Sequence, residues 1–141
     1  MADPFSVFSA TLGILDVSER ISAKVVDLFC NWKDAPILIL ALSSETTELN
    51  NVMDRIREAE QTVRGYCMQQ DMGFVFALDA QLRKARCYLE ALETLVDDLK
   101  RGTSIVRRNK WLLKKSTATK LQTQLRDIRL RINELLTAHN V

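Results

Sequence analysis

Residues 72–102 read MGFVFALDAQLRKARCYLEALETLVDDLKRG, and this stretch decides the fold. Its apolar residues recur in alternating steps of three and four, the spacing that places side chains on one face of an α-helix. The series is Val75, Leu78, Leu82, Ala85, Leu89, Leu92, Val96 and Leu99. Gly102 then follows at a position where glycine commonly ends a helix. The sequence predicts one long amphipathic helix over residues 72–101.

The same reasoning predicts three further helices, over residues 4–32, 35–68 and 106–138. Asp3 and Asp34 are each followed within two residues by a proline, a pattern that marks a helix start. The first helix has an apolar series at Ile14, Val17, Ile21, Val25 and Leu28. The second has Leu42, Leu49, Ile56 and Val63 at intervals of seven, with Val52, Met53 and Ala59 between them. The last has Leu121, Leu125, Ile128, Ile132 and Leu135.

The composition fits one all-α domain that spans residues 1–141. The chain has 47% hydrophobic and 27% charged residues, and Gly and Pro together number six. Four amphipathic helices with short links predict an antiparallel four-helix bundle with a hydrophobic N-terminal helix. Apolar heptads could instead build a coiled coil between chains. The interruptions at residues 34–36, 69–71 and 102 favour a chain that folds back on itself.

The first predicted helix is the candidate effector. It is uncharged from Pro4 to Leu15, a length of about 18 Å that is shorter than the roughly 30 Å of a bilayer's hydrocarbon layer. One copy alone therefore cannot span a membrane, whereas several copies could insert together or one could lie at the interface. A bundle core is the other environment that suits this segment. The candidate membrane-targeting residues are Phe5, Val7, Phe8, Leu12, Ile14 and Leu15.

Charge is concentrated in the last quarter of the chain. Residues 103–141 carry nine Lys and Arg against two carboxylates, a net charge of +7, whereas residues 1–102 have a net charge of −5. The basic stretch is open to three interpretations: a solvated helix with Trp111 in the core, a surface for anionic lipid, or a phosphate contact with nucleic acid. No nucleic-acid-reading motif accompanies it, so we expect no nucleic-acid partner. The candidate lipid-facing residues are Arg107, Arg108, Lys110, Trp111, Lys114, Lys115 and Lys120.

The sequence offers no catalytic, cofactor-binding or metal-binding motif. Its one histidine, His139, lies near the C-terminus, and the phosphate-binding and metalloprotease patterns are absent. The cysteines, Cys30, Cys67 and Cys87, have neither the spacing of a zinc site nor an even number. We interpret them as reduced, apolar packing residues, and we expect a protein that is not an enzyme and needs no cofactor.

Three motifs together give the chain a resemblance to a known family. They are the opening Met1-Ala2-Asp3-Pro4-Phe5-Ser6-Val7, then Asp34-Ala35-Pro36 followed by Leu42, Glu45, Leu49 and Val52, and finally Arg107-Arg108 with Trp111 and Lys114. In order and separation they resemble the HeLo-like N-terminal domain of fungal NOD-like receptors. The likeness covers the whole chain. One departure is that Gly13 is the only glycine of the first helix, whereas some membrane-active relatives have several.

The resemblance implies a cell-death and innate-immunity signalling module, excised from a receptor that continues into a nucleotide-binding NACHT region and a repeat sensor. Such modules are thought to act like the four-helix bundle of mixed-lineage kinase-domain-like protein, whose oligomers attack the plasma membrane. We therefore expect a cytoplasmic protein that forms a homo-oligomer on activation and then contacts anionic lipid at the plasma membrane. The alternative is an adaptor bundle that binds a helical protein partner and no lipid.

Overall fold

The computed structural model describes residues 4–58 and 72–139, with side chains for residues 10–58 and 73–139. These ranges contain four helices and no strand: α1 (Pro4–Asn31), α2 (Ile37–Glu58), α3 (Met72–Lys100) and α4 (Ser104–Ala138). The prediction of an all-helical chain with four helices is confirmed for this part. The described helix ends lie within two residues of the predicted ones, and the predicted helical residues 59–68 lie outside the description.

A short turn joins α1 to α2. The Ala35 amide donates to the Trp32 carbonyl at 3.1 Å, and Asp34 adopts a left-handed conformation with φ of 63°. The Ile39 amide donates to the Pro36 carbonyl at 3.0 Å. Pro36 thus provides the first accepting carbonyl, and α2 begins at Ile37 instead of at the predicted residue 35.

The turn between α3 and α4 depends on a glycine and a threonine. Gly102 has φ of +95°, which a residue with a Cβ adopts only under strain. The Thr103 side chain accepts a hydrogen bond from the Val106 amide at 3.4 Å, and the Thr103 carbonyl accepts one from Arg107 at 2.9 Å. This N-cap starts α4 at Ser104, two residues before the predicted start at residue 106.

The four helices occupy the corners of a square. α1 packs against α2 and α3, and α4 packs against the same two helices. Within the described residues, α1 and α4 have no close backbone contact, and neither do α2 and α3. α1 and α4 therefore lie at diagonally opposite corners, and their outer faces point in opposite directions.

The helix directions follow from the polar contacts between helices. Arg20 pairs with Glu93, Lys24 with Asp97 and Asp27 with Lys100, which is a constant separation of 73 residues, so α1 and α3 run in the same direction. Short turns reverse the chain from α1 to α2 and from α3 to α4. Each hairpin is therefore antiparallel. The neighbouring helices α1 and α3 are parallel, so the antiparallel arrangement does not extend to every pair of neighbouring helices.

The core contains the predicted apolar series almost without exception. All eight positions of the α3 series are at most 1% exposed, and Ile14, Val17, Ile21, Val25 and Leu28 of α1 are at most 8% exposed. In α4 the final position differs from the prediction. Leu135 is only partly buried, and Leu136 is fully buried. The core stripe continues from Ile132 by a step of four, which a helix permits as readily as a step of three.

Candidate functional surfaces

The described membrane-targeting residues of α1 divide between two environments. Ile14 and Leu15 are 1% and 4% exposed, whereas Leu12 is 53% exposed. The side chains of Phe5, Val7 and Phe8 lie outside the described part. The described apolar face of α1 is therefore committed to the bundle core, and Leu12 is already available on the surface.

A row of ion pairs holds α1 against α3. The Arg20 guanidinium makes two hydrogen bonds with Glu93, at 2.9 and 3.0 Å, and Lys24 Nζ lies 3.0 Å from Glu93 and 3.1 Å from Asp97. The hydrogen bonds from Arg20 and then from Lys24 lower the pKa of the Glu93 carboxyl. Lys100 extends the row to Asp27 at 3.0 Å. All the cations of this row are therefore paired.

Three of the six predicted basic residues of α4, Arg107, Lys110 and Lys114, are engaged within the bundle. Arg107 donates to the Leu99 carbonyl at 2.8 Å, and its guanidinium lies 5.7 Å from the centre of the Trp32 ring. Lys110 and Lys114 lie 3.3 and 3.1 Å from the Asp98 carboxylate. These lysines, Lys114 most strongly, lower the pKa of that carboxyl. Their charge therefore serves first to join α4 to α3.

Trp111 does not lie on the surface of the folded protein. It is 6% exposed, and its ring packs edge-on against Trp32 with ring centres 6.2 Å apart. This position agrees with one of the three interpretations of the basic stretch, a solvated helix whose Trp111 belongs to the core. In the folded bundle Trp111 is consequently not available to a lipid surface.

The other predicted basic residues are free and stand beside exposed apolar ones. Arg108, Lys115 and Lys120 are exposed, and none forms an ion pair with another described residue. Leu112, Lys115 and Lys120 line one shallow groove. The neighbouring Ile105, Leu112 and Leu113 are 75%, 70% and 84% exposed. We call this surface the α4 outer stripe: Ile105, Arg108, Leu112, Leu113, Lys115 and Lys120.

Sequence reasoning missed the apolar part of the α4 outer stripe, although the sequence contains a signal for it. The core positions Trp111, Ala118, Leu121 and Leu125 define the inner face of α4. At 100° per residue, Ile105 and Leu112 then fall on the opposite face. The helical spacing that identifies the core series therefore also separates these two residues from it.

The outer face of α1 has the opposite charge. Asp16 and Glu19 are exposed, and neither forms an ion pair with another described residue. Leu12 and Val26 on the same face are 53% and 46% exposed. A groove here is lined by one residue of α2, Asn50, and by six of α1: Glu19, Ser22, Ala23, Val26, Asp27 and Cys30. We call this surface the α1 outer stripe: Leu12, Asp16, Glu19, Ala23, Val26 and Cys30.

The interpretation of the cysteines as apolar packing residues is wrong for the two that are described. Cys30 and Cys87 are free thiols on exposed helix positions, and Cys67 lies outside the described residues. Both thiols sit on the outward side of a helix whose inner side is already filled by the apolar series. Helical spacing relative to Leu28 and Leu89 is what excludes them from the core.

Across the two described ranges, no group of three or more His, Cys, Asp and Glu side chains is close enough to hold a metal ion. In the same ranges no helix combines the length and apolarity needed to cross a bilayer. Searches of protein-family models, of curated proteins and of solved structures found no match to this chain.

Proposed function

We propose that this chain is a non-enzymatic cell-death or signalling effector domain whose copies oligomerise and then target or permeabilise membranes through α1. One observation carries the proposal: the described apolar face of α1 is buried in the core, from Ile14 to Leu28. The helix must exchange that core for another apolar environment before it can act. The resemblance to HeLo-like domains also supports a membrane effector function.

The energetics give this exchange a threshold. Full burial of a large apolar side chain contributes roughly 1.5–3 kcal/mol, so release of six such residues costs roughly 9–18 kcal/mol. A domain's net stability is about 5–15 kcal/mol. A single copy therefore retains α1 in its core. Clustering by an upstream sensor raises the local concentration of copies, and lipid then offers a new partner to the released face. The buried residues concerned are Ile14, Leu15, Val17, Ile21, Val25 and Leu28.

Dye leakage from anionic liposomes tests the proposal. Copies joined through a fused trimeric coiled coil should release dye, and unfused copies should release little. Leu12→Glu should reduce leakage because Leu12 is exposed, so the charge affects lipid contact and leaves the core intact. Leu130→Glu on α4 is the matched control, since Leu130 is 49% exposed. Phe8→Glu should act in the same direction as Leu12→Glu.

Two results would contradict the membrane function. One is a folded Leu12→Glu trimer that leaks as much dye as the parent trimer. The other is a parent trimer that binds no liposome at low or high salt and instead binds a helical protein partner. The second result would favour the adaptor function, for which the exposed Ile105, Leu112 and Leu113 supply a surface.

A further inference from the structure

We propose that the α1 outer stripe of one copy docks on the α4 outer stripe of the next, so that copies add head to tail. This inference rests on the proposed function in that it names the contact through which copies assemble. Its partner is a second copy of this chain. Association between copies is measured in solution without lipid, so failure of this contact and failure of the membrane function can be distinguished.

The two stripes carry complementary charges. The α1 outer stripe presents Asp16 and Glu19, and the α4 outer stripe presents Lys115 and Lys120, all exposed and without an ion pair among the described residues. Most of the other charged residues of α1 and of early α4 are engaged within the bundle. Opposite charges that are free on two faces of one molecule attract copies to each other and set their register.

The spacing of the charges fits an antiparallel helix pair. Asp16, Glu19 and Asp27 cover eleven residues, and Lys120, Lys115 and Arg108 cover twelve in the reverse direction. These distances are about 17 and 18 Å along the two helices. One register therefore brings each cation close to a carboxylate, although Asp27 also pairs with Lys100.

Exposed apolar residues lie between and beside these charges on both surfaces. Val26 lies between Glu19 and Asp27, and Leu12 lies one helical turn before Asp16. Leu112 lies between Arg108 and Lys115, and Ile105 lies three residues before Arg108. Each surface also has a shallow groove along its helix. Docking would remove exposed apolar area from water on both partners. This burial adds a hydrophobic contribution to the free energy of association, beyond that of the charge pairs.

The position of the two helices makes the contact repeatable. α1 and α4 lie at opposite corners of the square and run in opposite directions, so each copy has one stripe on each side. Asp27 and Arg108 both lie near the α3–α4 turn, so neighbouring copies can be related by a simple shift. A heterologous contact of this kind leaves both ends open to further copies.

A second copy fits these observations better than an anionic lipid surface does. The whole chain has a net charge of only +2, and its two halves have opposite charge. A lipid surface would attract the α4 outer stripe and repel the α1 outer stripe, whereas a second copy satisfies both. A contact between single helices is smaller than the roughly 1,200 Å² of a stable interface. The association is consequently weak, and clustering strengthens it.

Charge reversal with sedimentation velocity tests the contact. At about 10 mM salt, where the Debye length is about 30 Å, the parent chain should show concentration-dependent association that about 1 M salt abolishes. The double variants Asp16→Lys/Glu19→Lys and Lys115→Glu/Lys120→Glu should each associate at least about tenfold more weakly, because both of their stripes then have the same sign. Lys84→Glu/Arg101→Glu changes two exposed residues outside both stripes that form no ion pair with another described residue. It is the control for the net-charge change of Lys115→Glu/Lys120→Glu and should leave association unchanged.

Mixing the two variants is the decisive step. In an equimolar mixture every contact between the two different variants joins opposite charges, so association should return toward the parent level with the two variants alternating. A mixture that stays monomeric, or a parent chain that is monomeric at every concentration in low salt, would overturn the proposal.

Vesicles of phosphatidylserine and phosphatidylcholine separate the two partners. A monomeric parent chain whose vesicle binding is lost only in Lys115→Glu/Lys120→Glu would assign the α4 outer stripe to lipid and contradict the contact. Normal association in solution by a chain whose trimers cause no leakage would leave the contact intact and remove only the membrane function.

Discussion

α1 and α4 both carry cations at intervals along their length, yet the two helices use them differently. In α1, Arg20 and Lys24 are fixed by carboxylates of α3. In α4, Lys115 and Lys120 have no ion-pair partner among the described residues. The availability of a charge is therefore set by what the neighbouring helix places opposite it. A count of basic residues in the sequence cannot distinguish the two cases.

The largest expected difference in stability is between substitutions at two adjacent residues of α4, one on its inner face and one on its outer face. Trp111→Ala should lower the free energy of unfolding by about 3–5 kcal/mol, because it empties a core position at the contact with Trp32. Leu112→Ala should change it by less than about 0.5 kcal/mol, because Leu112 is 70% exposed. Urea unfolding followed by circular dichroism measures both. Equal losses of stability in the two variants would contradict the assignment of Trp111 to the inner face of α4 and of Leu112 to its outer face.

Two glycines provide the second comparison, one within α1 and one in the turn between α3 and α4. Gly102→Ala should destabilise the protein by about 1–2 kcal/mol, because φ is +95° and the new Cβ would lie 3.1 Å from Val106 Cγ1. Gly13→Ala should stabilise it by about 0.5–1 kcal/mol, because the nearest atom to the new Cβ, on Arg86, is at an ordinary 3.5 Å. Thermal unfolding of both variants checks the opposite signs. A loss of stability in Gly13→Ala would contradict the packing described between α1 and α3.

The smallest effect concerns the ion pairs of α1 with α3. The folded pKa of Glu93 is lowered, first by Arg20 and then by Lys24. The contribution of ionised Glu93 to the free energy of unfolding is fully present above the unfolded pKa of about 4.3. This contribution is lost as the pH falls through the lower folded pKa. The amount is at most about 1 kcal/mol, since the pair is partly solvated.

Urea midpoints measured from pH 6 downward test this contribution. Glu93→Gln should lose stability at pH 6 and show a smaller further loss in acid than the parent protein. Glu90→Gln is the control, because Glu90 pairs only with Arg86 of its own helix among the described residues. Parallel midpoint curves for the parent protein and Glu93→Gln would show that the pair does not hold α1.

Sequence reasoning predicts the helices well because each has its own local signals. The α3 series from Val75 to Leu99 is uninterrupted, and its members are buried as predicted. The predicted start of α2 is two residues early because Asp34 adopts a turn conformation instead of capping the helix directly. Such differences arise from backbone geometry that a residue's type only partly determines.

The arrangement of the helices and the surfaces cannot be predicted in the same way. Nothing local in residues 20 and 93 indicates that they meet. Only the three pairs Arg20–Glu93, Lys24–Asp97 and Asp27–Lys100 together show that α1 and α3 are neighbours that run in the same direction. The basic stretch is evident in the sequence, but its division into engaged and free residues depends on Asp98 of another helix. Pairing between distant segments is information that one sequence, taken alone, does not display.

The contact between Trp32 and Trp111 gives the molecule an intrinsic optical reporter. These are the only two tryptophans of the chain, and the Arg107 guanidinium covers one of them. Any departure of the C-terminal end of α1 and the turn that follows it, which holds Trp32, from α4 separates the indole rings and alters their emission and their near-ultraviolet circular dichroism. An unlabelled sample can therefore show, in real time, whether this end of α1 is still seated.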